Sequence, residues 1–188
     1  LPKREVFIIV HGFMNSFQSS VEIAACLASS LQFDGPMIAY SWPSGNALTE
    51  YLKAETNVDI TVPHFKRFLL FLAQEIQPDI IHLFAQSMGN RVLGNALKEL
   101  YLAQNTRLPL GQVIFNAADV DADVFKKTIF PTIQNKALRY TVYVAKWDLP
   151  LSLSSFLHAY PRLGMVDKKS QKPYLILEIG RASCRERV

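Results

Sequence analysis

The chain has 188 residues, 49% hydrophobic and 19% charged, which is enough to bury one core without staples and excludes general disorder. With only 8 Gly and 10 Pro it is neither collagen-like nor of low complexity, and its two cysteines, Cys26 and Cys184, build no disulfide framework. A net charge of +4 from scattered basic residues is no nucleic-acid footprint, and no apolar run approaches the ~18–20 residues of a membrane span.

Strand-like and helix-like segments alternate along the whole length. Val6-Phe7-Ile8-Ile9-Val10 is an apolar β-rich run ending at His11-Gly12, which suits a parallel sheet covered on both faces. Residues 19–31 are predicted helical, capped by Ser19 or Ser20 with Glu22 in the first turn. The inward stripe there is Val21, Ala24, Ala25, Ala28 and Leu31, and Cys26 reads as a small buried side chain. Pro36 precedes a strand over 37–42, which Pro43-Ser44-Gly45 stops. The spacing then predicts a helix over 62–77, with Pro63 in its first turn and Phe65, Leu69, Leu72 and Ile76 inward. A strand over 80–85 follows Pro78-Asp79, and a helix over 88–103 turns Val92, Leu93, Ala96, Leu97 and Leu100 inward. Next come a strand over 112–116, a helix over 122–133 and a strand over 138–144 in which Leu138, Tyr140, Val142 and Val144 alternate with Arg139, Thr141 and Tyr143. Residues 152–158 read as a short helix and 174–179 as a last strand. Such alternation implies right-handed crossovers and an α/β fold, a mostly parallel sheet flanked by helices on both faces.

The last residues read differently. Glu178-Ile179-Gly180 followed by Arg181 to Val188 resembles the in-frame translation of a sequencing adapter. The domain is therefore expected over residues 1–177, incomplete at one or both ends, with 178–188 a non-native tail. The chain begins at Leu1 rather than Met, and no targeting segment is recognisable, so localisation is left open.

The segment carrying chemistry is Ile80 to Gly89. A buried strand runs into Ser87 and a helix starts directly after it, with Ala85 and Gly89 two positions to either side. This is a nucleophile elbow, G-x-S-x-G with Ala for the first Gly. The turn admits only small neighbours, and the helix N-terminus brings backbone N–H groups and a favourable dipole to developing negative charge. His11-Gly12-Phe13, after the first strand, sits where a second backbone donor must come from. The N–H of Phe13 or Met14 is expected to pair with that of Met88 as an oxyanion hole. His11 itself reads as part of the structural turn rather than a base. Asp119, Asp121 and Asp123 read as an acid-rich helix start, and without loop glycines or a distal Glu no metal site is expected. One glycine in His11-Gly12 is too few for a nucleotide-binding loop.

Four segments occur together in order: His11-Gly12-Phe13-Met14-Asn15-Ser16-Phe17, Tyr40-Ser41-Trp42-Pro43-Ser44, Ala85-Gln86-Ser87-Met88-Gly89-Asn90-Arg91 and Ala117 to Phe125. On these the chain resembles the α/β-hydrolase superfamily, in particular its uncharacterised branch of presumed serine hydrolases, over about residues 6–177. The family usually has His where Gln86 stands and Pro where Ala118 stands; neither departure removes the nucleophile. The resemblance implies a triad in the order Ser, acid, His. It places the acid at Asp148, ending Tyr143-Val144-Ala145-Lys146-Trp147-Asp148, with Asp119 as the alternative where some lipases carry theirs. The base is expected in a loop after the last strand, where this sequence turns into its adapter-like tail. His158 is the outside candidate, because His64 and His82 precede Asp148. The implied activity is cleavage of carboxylic esters or related acyl substrates through an acyl-enzyme, with no cofactor. The base is thus expected to be absent from this chain, and the chain itself is expected to be inactive. The alternative is an inactive binding or scaffold protein on the same fold. Trp42, Trp147 and Phe17 are expected as pocket walls or as core aromatics.

Overall fold

The computed structural model describes residues 3–103, 107–144 and 160–166. Asp148, His158, Trp147, Cys184, the expected helix 152–158, the last strand 174–179 and the tail 178–188 lie outside the described residues.

Among the described residues, five strands form one parallel sheet in the order β2-β1-β3-β4-β5. They are β1 (Glu5–Val10), β2 (Met37–Tyr40), β3 (Ile80–Gln86), β4 (Leu110–Asn116) and β5 (Ala137–Tyr143). Between them run α1 (Phe17–Leu31), α2 (Tyr51–Phe71), α3 (Gly89–Leu102), α4 (Ala122–Val124) and α5 (Phe130–Ile133), with a π-helical turn, Phe125–Ile129, joining the last two. The five apolar residues of β1 are all buried, because the sheet is covered on both faces. Phe7 and Ile9 face α1 and pack with Ala24, Ile23 and Leu27. Val6, Ile8 and Val10 face the larger core built by α2, α3 and the α4–α5 region, with Phe65, Leu69, Leu93 and Leu97 wholly buried. The expected α/β fold with helices on both faces is what the structure shows. No helix among the described residues is long and apolar enough to cross a membrane.

Several elements differ from their sequence reading. Helix α2 begins eleven residues earlier than expected, and Pro63 lies inside it rather than at its start. The missing N–H and ring clash of an internal proline cost about 3 kcal/mol. Burial of Ala54, Val58, Val62, Phe65 and Leu69 along one stripe offsets that cost. The helical part ends before Ile76, which is 50% exposed in a π-helical turn rather than inward. In α1 the cap is Ser16, whose Oγ accepts from the Ser19 N–H at 3.1 Å, not Ser19 or Ser20. The buried stripe runs through Ser20, Ile23, Ala24 and Leu27, so Val21 and Leu31, expected inward, are 43% and 54% exposed. Ala25 and Cys26 lie off that stripe and are exposed, not buried. Leu138, expected inward, is 69% exposed, and Thr141, expected outward, is buried, so the expected alternation in β5 is broken at both positions.

What matters for function is where the strands end. Val10 lies beside Tyr40 on one side and Ala85 on the other, while Gln86 lies beside Asn116 and Asn116 beside Tyr143. The C-terminal ends of all five strands therefore gather at one edge. The chain goes from β1 outward to β2 and then returns to β3 on β1's other side, so β1 and β3 flank the switch point where open α/β sheets form their sites.

Candidate active site at the sheet switch point

Ser87 stands at that switch point, one residue beyond β3 and two before α3. Its φ is +47°, in the left-handed region that side chains other than glycine's rarely occupy. Among the described residues, two of the five non-glycine residues with positive φ, Gln32 and Gln77, are helix C-caps, where that conformation is routine. The other three, Met14, Ser87 and Ala117, follow β1, β3 and β4 at the same edge. Backbone strain is thus concentrated where the chemistry is expected.

The elbow is held from below by its own main chain. The Ser87 N–H donates to the Asn116 carbonyl at 3.0 Å, and the Ser87 carbonyl accepts from the N–H groups of Asn90 and Asp119, each at 3.1 Å. The wholly buried Asn90 adds its side-chain amide, donating to the carbonyls of Ser87 at 2.9 Å and Asn116 at 3.0 Å. With those groups engaged, Ser87 Oγ has no hydrogen-bond partner among the described residues. The small neighbours are required by space. A Cβ on Gly89 would lie 2.4 Å from the His11 carbonyl oxygen, and one on Gly12 would lie 3.1 Å from Ser87 Cβ. Strand β1 and helix α3 meet almost backbone to backbone.

His11 is a structural residue, as its place in the turn suggested. The Trp42 N–H donates to His11 Nε2 at 3.0 Å, so that nitrogen carries no proton, and Nδ1–H faces the Gly12 carbonyl at 2.9 Å. Trp42 stacks on the ring and donates from its indole to the His11 carbonyl at 2.8 Å. Burial lowers the imidazole pKa against the opposing pull of the Gly12 carbonyl, so His11 is neutral. Trp42 is 4% exposed, packs in the core and also lines the cleft that Phe17 borders. Phe17, 69% exposed, borders a cleft of about 580 Å³ between the loops after β1 and β2. Phe13 packs edge-on against Tyr51, and the Phe13 and Met88 N–H groups have no hydrogen-bond acceptor among the described residues.

Asp119, the alternative acid, is 2% exposed and heavily engaged. Its Oδ2 accepts from the Tyr51 hydroxyl at 2.6 Å and from Arg91 Nη2 at 3.2 Å, while Oδ1 lies 3.3 Å from Arg162 Nε. Arg91 also donates to the Asp119 carbonyl at 2.6 Å and to the Glu55 carboxylate. Burial works against the Arg91 charge, but Asp119, Tyr51 and Glu55 together raise its pKa. The other two acids have separate work. Asp121 caps α4 by accepting from Asp123 and Val124 N–H, and Asp123 pairs with Lys127. Sequence reasoning missed this network. Arg91 stood in the elbow motif with no role given, and Arg162 had no signal beyond being a charged residue in a Pro-Arg-Leu-Gly loop.

No curated protein and no solved structure matches the chain. One family model does, over residues 1–176, and it describes an alpha/beta hydrolase of unknown function (DUF900). With the parallel sheet, the crossover order and the strained turn after β3, this match shows that the chain belongs to that family of alpha/beta hydrolases.

Proposed function

We propose that the protein is a serine hydrolase acting on carboxylic esters through an acyl-enzyme, with Ser87 as nucleophile. The observation that carries this reading is the φ of +47° at Ser87, held between β3 and α3 with its hydroxyl unengaged among the described residues. A strained serine with four supporting backbone and amide contacts is costly to maintain without a use for the hydroxyl.

In the proposed reaction Ser87 Oγ attacks the ester carbonyl carbon and its proton passes to an imidazole. The Phe13 and Met88 N–H groups receive the oxyanion, aided by the N-terminal end of α3. Collapse breaks the ester C–O bond, the imidazolium returns its proton to the leaving alkoxide, and water then releases the acid by the same path. Asp148 is the proposed orienting acid, because both oxygens of Asp119 already face Tyr51, Arg91 and Arg162. The imidazole is proposed to come from a loop after the last strand, with His158 as the outside candidate, and both His158 and Asp148 lie outside the described residues. The test uses the full-length gene product and short acyl esters. Ser87→Ala should abolish turnover, and Asp148→Asn should lower it by about 10⁴ with the fold intact. Turnover that survives Ser87→Ala overturns the proposal; loss on Asp119→Asn with none on Asp148→Asn reverses the two acids.

A further inference from the structure

Asp119 touches the elbow with its main chain and the segment 160–166 with its side chain. Its N–H supports the Ser87 carbonyl at 3.1 Å, while its carboxylate faces Arg162, itself 3% exposed. The segment is seated closely on the loop after β4. Leu163 and Gly164 donate to the carbonyls of Val120 and Ala118 at 2.8 and 2.9 Å, and Pro161 accepts from Ala122 N–H at 3.0 Å. A Cβ on Gly164 would lie 2.2 Å from the Ala118 nitrogen, so no other residue allows this approach. On the far side, Arg91 bridges the same carboxylate to α2 through Tyr51 and Glu55. A buried guanidinium, Arg162, and a partly buried one, Arg91, share the Asp119 carboxylate, and removing a partner from such a buried charge is strongly destabilising locally.

The geometry points to Asp119 and Arg162 as a positioning pair that couples the seating of 160–166 to the conformation of the Ser87 elbow. The chain enters this segment directly from the stretch that carries Asp148, so the pair fixes one end of that stretch relative to the nucleophile. The consequence for catalysis rests on the serine-hydrolase reading; the mechanical coupling does not. Neither residue touches the reacting atoms, and Asp119 acts through its N–H on the Ser87 carbonyl.

The test compares Arg162→Gln, Arg162→Lys and the unaltered protein in two measurements. Amide exchange of the peptide spanning 86–91 should quicken about 10-fold or more in Arg162→Gln, together with 117–122 and 160–166, while β1–α1 peptides keep their rate. Arg162→Lys, which retains the charge, should restore most of the protection. The rate at which a fluorophosphonate labels Ser87 should fall by a similar factor in Arg162→Gln and recover in Arg162→Lys, which a purely structural contact away from the elbow would not produce. Exchange that quickens only in 160–166 overturns the coupling. A serine that labels in no variant counts against the hydrolase reading, while the exchange comparison still decides the coupling. Should Arg162→Gln fail to fold, Tyr51→Phe removes one hydrogen bond from the same carboxylate, and the same peptides decide.

Discussion

Gly89→Ala adds a single methyl group at the point where α3 meets β1. Its Cβ would sit 2.4 Å from the His11 carbonyl oxygen and 2.7 Å from that of Val10, both main-chain atoms that no rotamer change can move aside. Restoring ordinary contact requires the helix start and the strand end to part by about 1 Å in a close-packed interior. Overpacking of this kind costs about 1–3 kcal/mol, and here the upper end applies, because Trp42 donates to the same His11 oxygen and loses its geometry too. That is a large share of the about 5–15 kcal/mol that holds a typical domain. The control is Gly94→Ala in the same helix, where the nearest atom is Ile129 Cδ1 at 3.4 Å. There the higher helix propensity of alanine, about 1 kcal/mol over glycine, should leave stability unchanged or improved. Urea unfolding followed by near-UV circular dichroism reads both, since buried, stacked Trp42 reports on the junction. A Gly89→Ala unfolding free energy within about 0.5 kcal/mol of the parent, the scatter of neutral surface changes, would refute the claim that backbone contact fixes the elbow.

Asn90→Asp replaces the amide that donates to the Ser87 and Asn116 carbonyls with a buried acceptor facing both oxygens; it should cost about 3 kcal/mol or more in chemical denaturation, and a neutral result would show that the amide bears no load. His11 has a folded pKa lowered by burial from the ordinary value of 6.5, so its contribution is full above pH 6.5 and is lost as pH falls through the folded value, because the unfolded chain binds the proton that the fold refuses. The stability gap between the parent and His11→Gln should therefore narrow from pH 7 towards pH 5, and a constant gap would show that His11 is not held neutral. Phe17→Ala, at a residue 69% exposed, should change unfolding free energy by less than about 0.5 kcal/mol while shifting preference among acyl chain lengths; an unchanged preference would remove the cleft after β1 from the substrate path.

The parallel sheet was legible because its first four strands are short, largely apolar and fenced by Pro, Gly or Asp, and because buried helical stripes lie between them. The strained turn after β3 was legible because Ala85, Ser87 and Gly89 are local in sequence and their spacing has a steric cause. Pro63 misled the reading of α2, since proline favours a first turn and only tertiary burial of Ala54 and Val58 keeps it inside a helix. The start of α1 was misplaced because three serines, Ser16, Ser19 and Ser20, all suit a cap, and its inward face was misread because its alanines and serines are small and give only a weak apolar stripe. The Asp119 network was illegible because its partners come from residues 51, 55, 91 and 162, and ion pairs so far apart in sequence leave no periodic trace.

The central claim is that the strained residue after β3 is a chemically activated serine. Fluorophosphonate treatment of the full-length gene product, followed by peptide mass spectrometry, measures it directly. A single adduct on Ser87, absent from Ser87→Ala, is the predicted result. An adduct on another serine, labelling that survives Ser87→Ala, or a folded protein that takes up no label would contradict it.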